Sequence, residues 1–271
     1  MGRDSRMRKL GLVTRGQTDV ARTPKVIVGY PCGGSVTVPF HASLMNLQYH
    51  ELRKPKAARL LWEHEEDGQV RAGFFHCMGL YVADNRNTLA RRFLDSTDAD
   101  WLLQIDTDIE FPATLIESMV SFGRGDRKVI AANVPLGSYP TVAFNRSDKP
   151  GIWECLQVMP ANIVECDAVA TAILLTHRSV FEVIAKARGR TWFNHIYLLS
   201  PPEGADRSAQ ESTSIGEDVA FCIRAQECGF GIFAARVPGL RHHKTRALSE
   251  DFERGGHRIS TDAMGQMVQE G

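Results

Sequence analysis

No stretch of this 271-residue chain approaches the ~20 consecutive apolar residues that a membrane-spanning helix needs, so a soluble protein is expected. The basic N-terminus, with Arg3, Arg6, Arg8 and Lys9, has no apolar run behind it and does not read as a secretory signal. Neither sign of charge is in excess: Lys plus Arg and Asp plus Glu each number 32. That balance argues against a protein built to grip nucleic acid backbone. The six cysteines contain no C-x-x-C pair, which excludes the usual structural zinc spacing and a dense disulfide frame. Reduced thiols in a cytoplasmic protein are the expectation. Internal repeats are lacking as well.

What is present is an alternation of strand and helix signals. Residues 1–22 read as a flexible basic leader, and order begins at the β-branched run Val26 to Tyr30, stopped by Pro31 and the Gly33-Gly34 pair. Pro39 to Leu52 has helical spacing, and Leu60 to Trp62 and Gly73 to Phe75 are strand candidates. Asp84 to Asn87 precede a helix carrying Leu89, Ala90, Phe93 and Leu94, which leads into the apolar strand Trp101 to Ile105. Pro112 opens a further helix and Val129 to Ala132 a further strand. Val164 to Leu175 reads as one long apolar strand, followed by a helix over Ser179 to Lys186. A loop rich in Pro, Gly and Ser spans Pro201 to Ile215. A helix then starts at Gly216-Glu217-Asp218, and Gly231 to Ala235 is a last strand. Residues 247–271 read as a C-terminal tail, leaving one α/β domain over 23–246 with a mixed central sheet flanked by helices.

Four elements carry chemistry. The first is Asp106-Thr107-Asp108, directly after the buried strand. Ligands of open α/β sheets collect beyond the carboxyl ends of strands, and two carboxylates there can hold a hard divalent cation that in turn holds a diphosphate. A D-x-D triplet arises readily by chance in a chain that is 24% charged, so its position after the strand is what gives it weight. The second is Glu217-Asp218. Acids at a helix start suit the helix dipole, and behind a closing loop such a carboxylate can take a proton from an acceptor hydroxyl. The third is Leu240-Arg241-His242-His243-Lys244: imidazole is a ligand for manganese and related ions, and Arg241 and Lys244 suit phosphate oxygens. In an extended segment only one of the two histidines would face the site. The fourth is Asp84 with Arg86, candidates for donor binding ahead of a helix.

These elements in this order resemble the GT-A fold glycosyltransferases, most closely the family 2-like group. The resemblance rests on Val26 to Tyr30, on Arg86-Asn87 leading into Asp100-Trp101-Leu102-Leu103-Gln104-Ile105-Asp106-Thr107-Asp108, on Asp167 to Ala172, and on Gly216-Glu217-Asp218-Val219-Ala220-Phe221-Cys222-Ile223-Arg224 ending at Cys228-Gly229-Phe230. It implies a nucleoside-diphosphate sugar donor, UDP- or GDP-linked, whose base sits near Tyr30 and Pro31 and whose diphosphate is bridged by Mn²⁺ or Mg²⁺. Asp108 would be the direct metal ligand, Asp106 would lie nearer the ribose or the metal shell, and His242 or His243 would complete coordination. Asp218 matches the position of the base in inverting members, with Glu217 beside it. The chain departs from the family at Gly29 to Gly34, where members commonly carry a Pro-Thr-Tyr-Asn-like segment, and this leaves the nucleobase open. It also lacks the Q-x-x-R-W motif and membrane helices of processive synthases, so a single transfer to a hydroxyl of a glycan, small molecule or protein is expected, in a bacterial or phage setting. A nucleotidyltransferase and a non-catalytic nucleotide or sugar binding module are the alternatives.

Overall fold

The computed structural model describes residues 23–53, 59–60, 62–64, 70–72, 74–134, 141–148, 153–197, 214–243, 259–261 and 267–269. The expected leader, Lys244, the loop from 201 to 213 and most of the expected tail lie outside the described residues. Within the tail, β18 (Ile259–Thr261) pairs antiparallel with β19 (Met267–Gln269).

The core is an eight-stranded mixed sheet. Toward one side of it β1 (Lys25–Cys32) runs parallel to β6 (Trp101–Ile105), with Val28 opposite Leu103. The other edge of β1 is shared: Lys25 and Val26 pair with β2 (Arg59–Leu60), while Val28 to Cys32 pair with β5 (Phe74–Met78). Beyond β6 lie β13 (Ile173–His177), antiparallel to both its neighbours, then β8 (Val129–Ala132), β16 (Ile232–Ala235) and the edge strand β11 (Ile163–Cys166). All five residues of β6 are buried, as a strand covered on both faces requires. Burying Leu102, Leu103 and Ile105 contributes about 1.5–3 kcal/mol each before chain entropy is set against it.

Helices cover the sheet. In α1 (Val38–Glu51) the Thr37 side chain accepts the Phe40 N–H at the N-cap, Pro39 sits in the first turn, and Phe40, Leu44 and Leu47 face inward. Helix α2 (Val82–Ser96) begins earlier than the sequence pattern indicates: Tyr81 is its N-cap and Asp84 lies in its first turn, where the dipole favours an acid. Leu89 packs so closely on β1 that a Cβ at Gly29 would come within 3.4 Å of it. Helix α3 (Leu115–Phe122) starts after Pro112, whose carbonyl accepts the Leu115 N–H in the preceding turn. Helices α4 (Arg178–Arg188) and α5 (Glu217–Glu227) complete the layers, α5 closing on Gly229 at φ +89°.

The expected single strand from Val164 to Leu175 is three strands. After β11, Asp167 donates its N–H to Phe144 O (3.0 Å), and β12 (Ala168–Val169) pairs with β9 (Ala143–Arg146) in a small sheet completed by β10 (Trp153–Cys155). The chain then crosses the strand ends through residues 170–172 and re-enters the main sheet as β13. An apolar run records burial but not a change of partner, so the sequence pattern could not show the break. Short pairs finish the fold: β3 (Trp62–His64) with β4 (Val70–Ala72), β7 (Ile109–Glu110) with β17 (Arg241–His242), and β14 (Ile196–Tyr197) with β15 (Ser214–Ile215). Among the described residues no helix is long and apolar enough to cross a membrane.

Candidate active site

Strand β6 delivers Asp106 to the carboxyl edge of the sheet, where its N–H donates to Ala172 O at 2.8 Å. Its Oδ1 accepts from Arg86 Nη2 at 2.7 Å. Arg86 is only 2% exposed, and among the described residues its Nε and Nη1 have no hydrogen-bond partner. Gln104, also buried, donates to Arg86 O at 3.2 Å and so ties α2 to β6 directly beneath the pair. Burial pushes the Asp106 carboxyl up to about 6; Arg86 opposes the rise, while Asp218, Asp108 and Glu217 add to it. The Arg86 guanidinium offsets only part of what burial and these neighbouring carboxylates do to Asp106.

Asp108 lies in the turn that follows. Its Oδ2 stands 2.9 Å from His242 Nε2, and its carbonyl accepts the His243 N–H at 2.8 Å. This contact is fixed by the β7–β17 ladder, which sets Arg241 opposite Glu110 and His242 opposite Ile109. The paired segment ends at His242, so strict alternation does not continue to His243, and both rings meet acids: His243 Nε2 is 2.7 Å from Glu110 Oε2. Arg241 reaches the other oxygen of Glu110 at 3.1 Å.

A cavity of about 550 Å³ opens beside these groups, lined by Pro31, Gly33, Ser35, Thr37, Val82, Asp106, Thr107, Asp108 and His243. Gly34, at φ +118°, turns the loop that forms its wall, a conformation few other residues adopt. Thr107 cross-links that wall: its Oγ1 donates to Ser35 O, and its carbonyl accepts from both the N–H and the Oγ1 of Thr37. Pro31 lines the cavity. Tyr30, half-buried, packs edge-on against Phe40 and stacks on His76. Asp84 is exposed on α2 and does not line the cavity.

The second acidic element approaches through α5. Thr171, fully buried in the crossover, donates its hydroxyl to Asp218 Oδ1 and its N–H to Asp218 Oδ2. Glu217 turns elsewhere, 3.5 Å from His195 Nε2. The crossover thus holds Asp106 through Ala172 and Asp218 through Thr171. Sequence reasoning singled out neither Thr171, Glu110 nor His195. Thr171 sat within an apolar run, and Glu110, two residues past the triplet and opposite Arg241, became visible only through the β7–β17 pairing.

Among the described residues, the group of three or more ligating side chains close enough together to share one ion is His50, Glu51 and Glu117, on α1 and α3, and not the Asp106 to Asp108 turn. At the turn itself one carboxylate and one imidazole meet, Asp108 and His242 at 2.9 Å, and Asp106 stands two residues away.

No protein-family model matches the chain, and no curated protein matches it. Solved structures do. A197 from STIV is 16% identical over 92% of this chain and 95% of that one, with a TM-score of 0.43. A glycosyltransferase involved in the glycosylation of the major capsid of PBCV-1 is 11% identical over 59% and 63%, with a TM-score of 0.31. GalNAc-T7 with UDP, GalNAc and Mn²⁺ is 10% identical over 82% of this chain, with a TM-score of 0.50; the chain spans 43% of the length of that structure. At this identity the likeness concerns the fold alone: an α/β architecture with a mixed central sheet flanked by helices, resembling the GT-A glycosyltransferases.

Proposed function

We propose that the protein is a metal-dependent glycosyltransferase that moves a sugar from a nucleoside diphosphate donor to an acceptor hydroxyl. The observation that carries this reading is the crossover at the carboxyl edge of β6, where Ala172 O holds Asp106 and Thr171 holds Asp218, beside a cavity that Asp106 and Asp108 line and that is large enough for a nucleotide. GalNAc-T7, of similar fold, is described with UDP and Mn²⁺, which fits the same chemistry.

In this reading Asp108 and His242 hold Mn²⁺ or Mg²⁺, with Asp106 and His243 at the margin of the set; when bound, the cation supplies Lewis-acid stabilisation of the departing nucleoside diphosphate. Arg86 fixes Asp106 from below so that its free oxygen faces the cavity. Tyr30, Pro31 and the Gly33-to-Ser35 wall take the nucleoside, and Lys244, next in sequence after His243, supplies a cation for phosphate oxygens. Asp84, exposed, retains at most a rim contact with the donor. Asp218 accepts the proton of the acceptor hydroxyl as that oxygen bonds to the anomeric carbon and the bond to the diphosphate breaks. Thr171 keeps both oxygens of Asp218 oriented for that step.

A thermal-shift screen of UDP, GDP, CDP and dTDP, each with and without Mn²⁺, tests the reading. One nucleotide should stabilise the wild type only when Mn²⁺ is present, and Asp108→Ala should abolish the effect. Absence of any nucleotide-dependent shift in the wild type would overturn it.

A further inference from the structure

Glu217 and Asp218 are neighbours at the start of α5, yet they serve different surroundings. Asp218 is turned in to the crossover by Thr171. Glu217 is turned out to His195, whose ring stacks on that of Tyr197 at a centroid distance of 6.3 Å and an interplanar angle of 23°. His195 is 39% exposed at its side chain and Tyr197 72% exposed overall. Two large rings side by side in water, next to a carboxylate, contribute little to the core.

The backbone beneath them is nevertheless held firmly. Asn87, 1% exposed on α2, accepts the Phe193 N–H at 2.9 Å and donates to Asn194 Oδ1 at 2.7 Å. Phe193 stacks on Phe221 of α5 at 4.5 Å, Trp192 Nε1 donates to Phe181 O, and Arg224 Nη1 donates to Trp192 O, both at 2.9 Å. Residues 192–194 are thereby clamped between α2, α4 and α5. From that clamp the chain runs through His195 into β14, and the His195 and Tyr197 rings come out together, stacked on one another. Rigid support under exposed groups is the construction of a preorganised binding surface rather than of a solvated loop.

We infer that His195, Tyr197 and Glu217 form the acceptor subsite and that the acceptor is a sugar ring. The inference rests on the glycosyltransferase reading above. A pyranose has an apolar face of C–H groups and a rim of hydroxyls. The Tyr197 and His195 rings offer a flat apolar surface for the face, Glu217 accepts from rim hydroxyls, and the His195 ring nitrogens can donate or accept. In this arrangement the ring extends from Glu217 along the start of α5, so that one of its hydroxyls reaches Asp218, the next residue. The two carboxylates then divide the work: Glu217 binds the acceptor and Asp218 takes its proton.

The test uses the full chain and the donor identified by the nucleotide screen, with nucleoside diphosphate release as the readout. Glucose, galactose, mannose and N-acetylglucosamine are offered as free sugars, against glycerol, which has hydroxyls but no ring face. At least one sugar should accelerate release saturably, and glycerol should not. Tyr197→Ala and Glu217→Gln should each raise the KM for that sugar by about tenfold or more while kcat stays within about threefold, and Tyr197→Phe should restore a KM near that of the wild type. Tyr197 is largely exposed, so its truncation leaves the fold intact, and nucleotide stabilisation with Mn²⁺ should persist in it. Three results would overturn the inference: donor turnover that no sugar accelerates, a KM unmoved in Tyr197→Ala, or loss of nucleotide stabilisation in that variant, which would assign the rings to the nucleobase. A wild type that binds no nucleotide would instead defeat the glycosyltransferase reading itself, and this inference with it.

Discussion

At the amino end of β6, Lys25 donates its backbone N–H to Asp100 at 2.8 Å, and its ammonium meets Asp98. Arg178 there spends its guanidinium on the carbonyls of Phe93, Leu94, Thr97 and Ala99 while lying over the Phe93 ring. Five residues further along the same strand, at the carboxyl end, Arg86 meets the Asp106 carboxylate, and Asp108 follows beside the cavity. One end uses its charges to close hydrogen bonds within the scaffold; the other sets its acids beside an open cavity. Titration separates the ends too. Burial lowers His177, at the amino end, to about 4, whereas burial raises Asp106 to about 6. The contrast matches the general division of open α/β sheets, in which ligands gather beyond the carboxyl edge and the opposite edge serves the scaffold.

The contrast breaks most sharply at Asp218. If the carboxyl end is the working end, Asp218→Asn should lower sugar transfer by about 10²–10⁴-fold, the range for loss of a general base, with nucleotide binding little changed. Single-turnover transfer alongside nucleotide thermal shift reads both. Equal loss of binding and transfer would make Asp218 a donor ligand instead.

Arg178→Leu should show the reverse pattern. Leaving several carbonyls without their charged donor costs about 3 kcal/mol in denaturant unfolding, while the nucleotide-dependent shift of the folded protein stays the same size. A variant that lost nucleotide binding without losing stability would erase the distinction between the ends.

The titration of His177 gives a finer test. Its Nδ1 accepts the Ser179 N–H as the cap of α4, its ring meets Trp101 edge-on, and burial holds it neutral, with Lys128 and Arg178 adding to the effect and Asp100 opposing it. In the unfolded chain a histidine titrates near 6.5, so between about 6.5 and 4 the unfolded state binds the extra proton. Stability from this group is complete above 6.5 and is lost as pH falls through 4, by at most about 3 kcal/mol. Asp106 has the opposite sign: the folded state holds its proton longer, so that group weakens the fold as pH rises from about 4 to 6. Urea unfolding from pH 7 to 4.5 should show a shallower acid loss in His177→Asn, which keeps a capping acceptor but does not titrate. An unchanged slope would assign acid sensitivity to other groups.

Much of this was legible in the sequence. The strand Trp101 to Ile105 ending at Asp106 is seen at those residues, because a fully buried strand leaves a continuous apolar run and the carboxylates mark its exit. The helix start at Glu217 was equally plain from Gly216 and two acids. What the sequence could not show was partnership. His242 and Asp108 are brought together by a two-residue ladder between segments 134 positions apart, and Asp218 reaches the site through Thr171, a polar residue hidden in an apolar run. Asn87 read as part of a motif, but its task of clamping residues 193 and 194 depends on a contact 107 positions away.

Thr171 supplies the smallest expected effect and the most specific one. It is fully buried, so Thr171→Val preserves volume while removing the hydroxyl that Asp218 Oδ1 accepts; the Thr171 N–H to Oδ2 remains. Losing one of two orienting bonds should cost about tenfold in kcat, ~1.4 kcal/mol, without raising the KM for the donor. Thr171→Ser retains the hydroxyl and should recover most of the rate despite the small void left by the methyl group. If the two variants fall equally, the residue acts through packing of the crossover and not through its hydrogen bond to Asp218. If only the valine variant falls, while Ala172 O still holds Asp106, then the carboxyl edge of β6 is organised as two separately adjustable halves: a cation half on β6 and β17, and a proton-transfer half on α5.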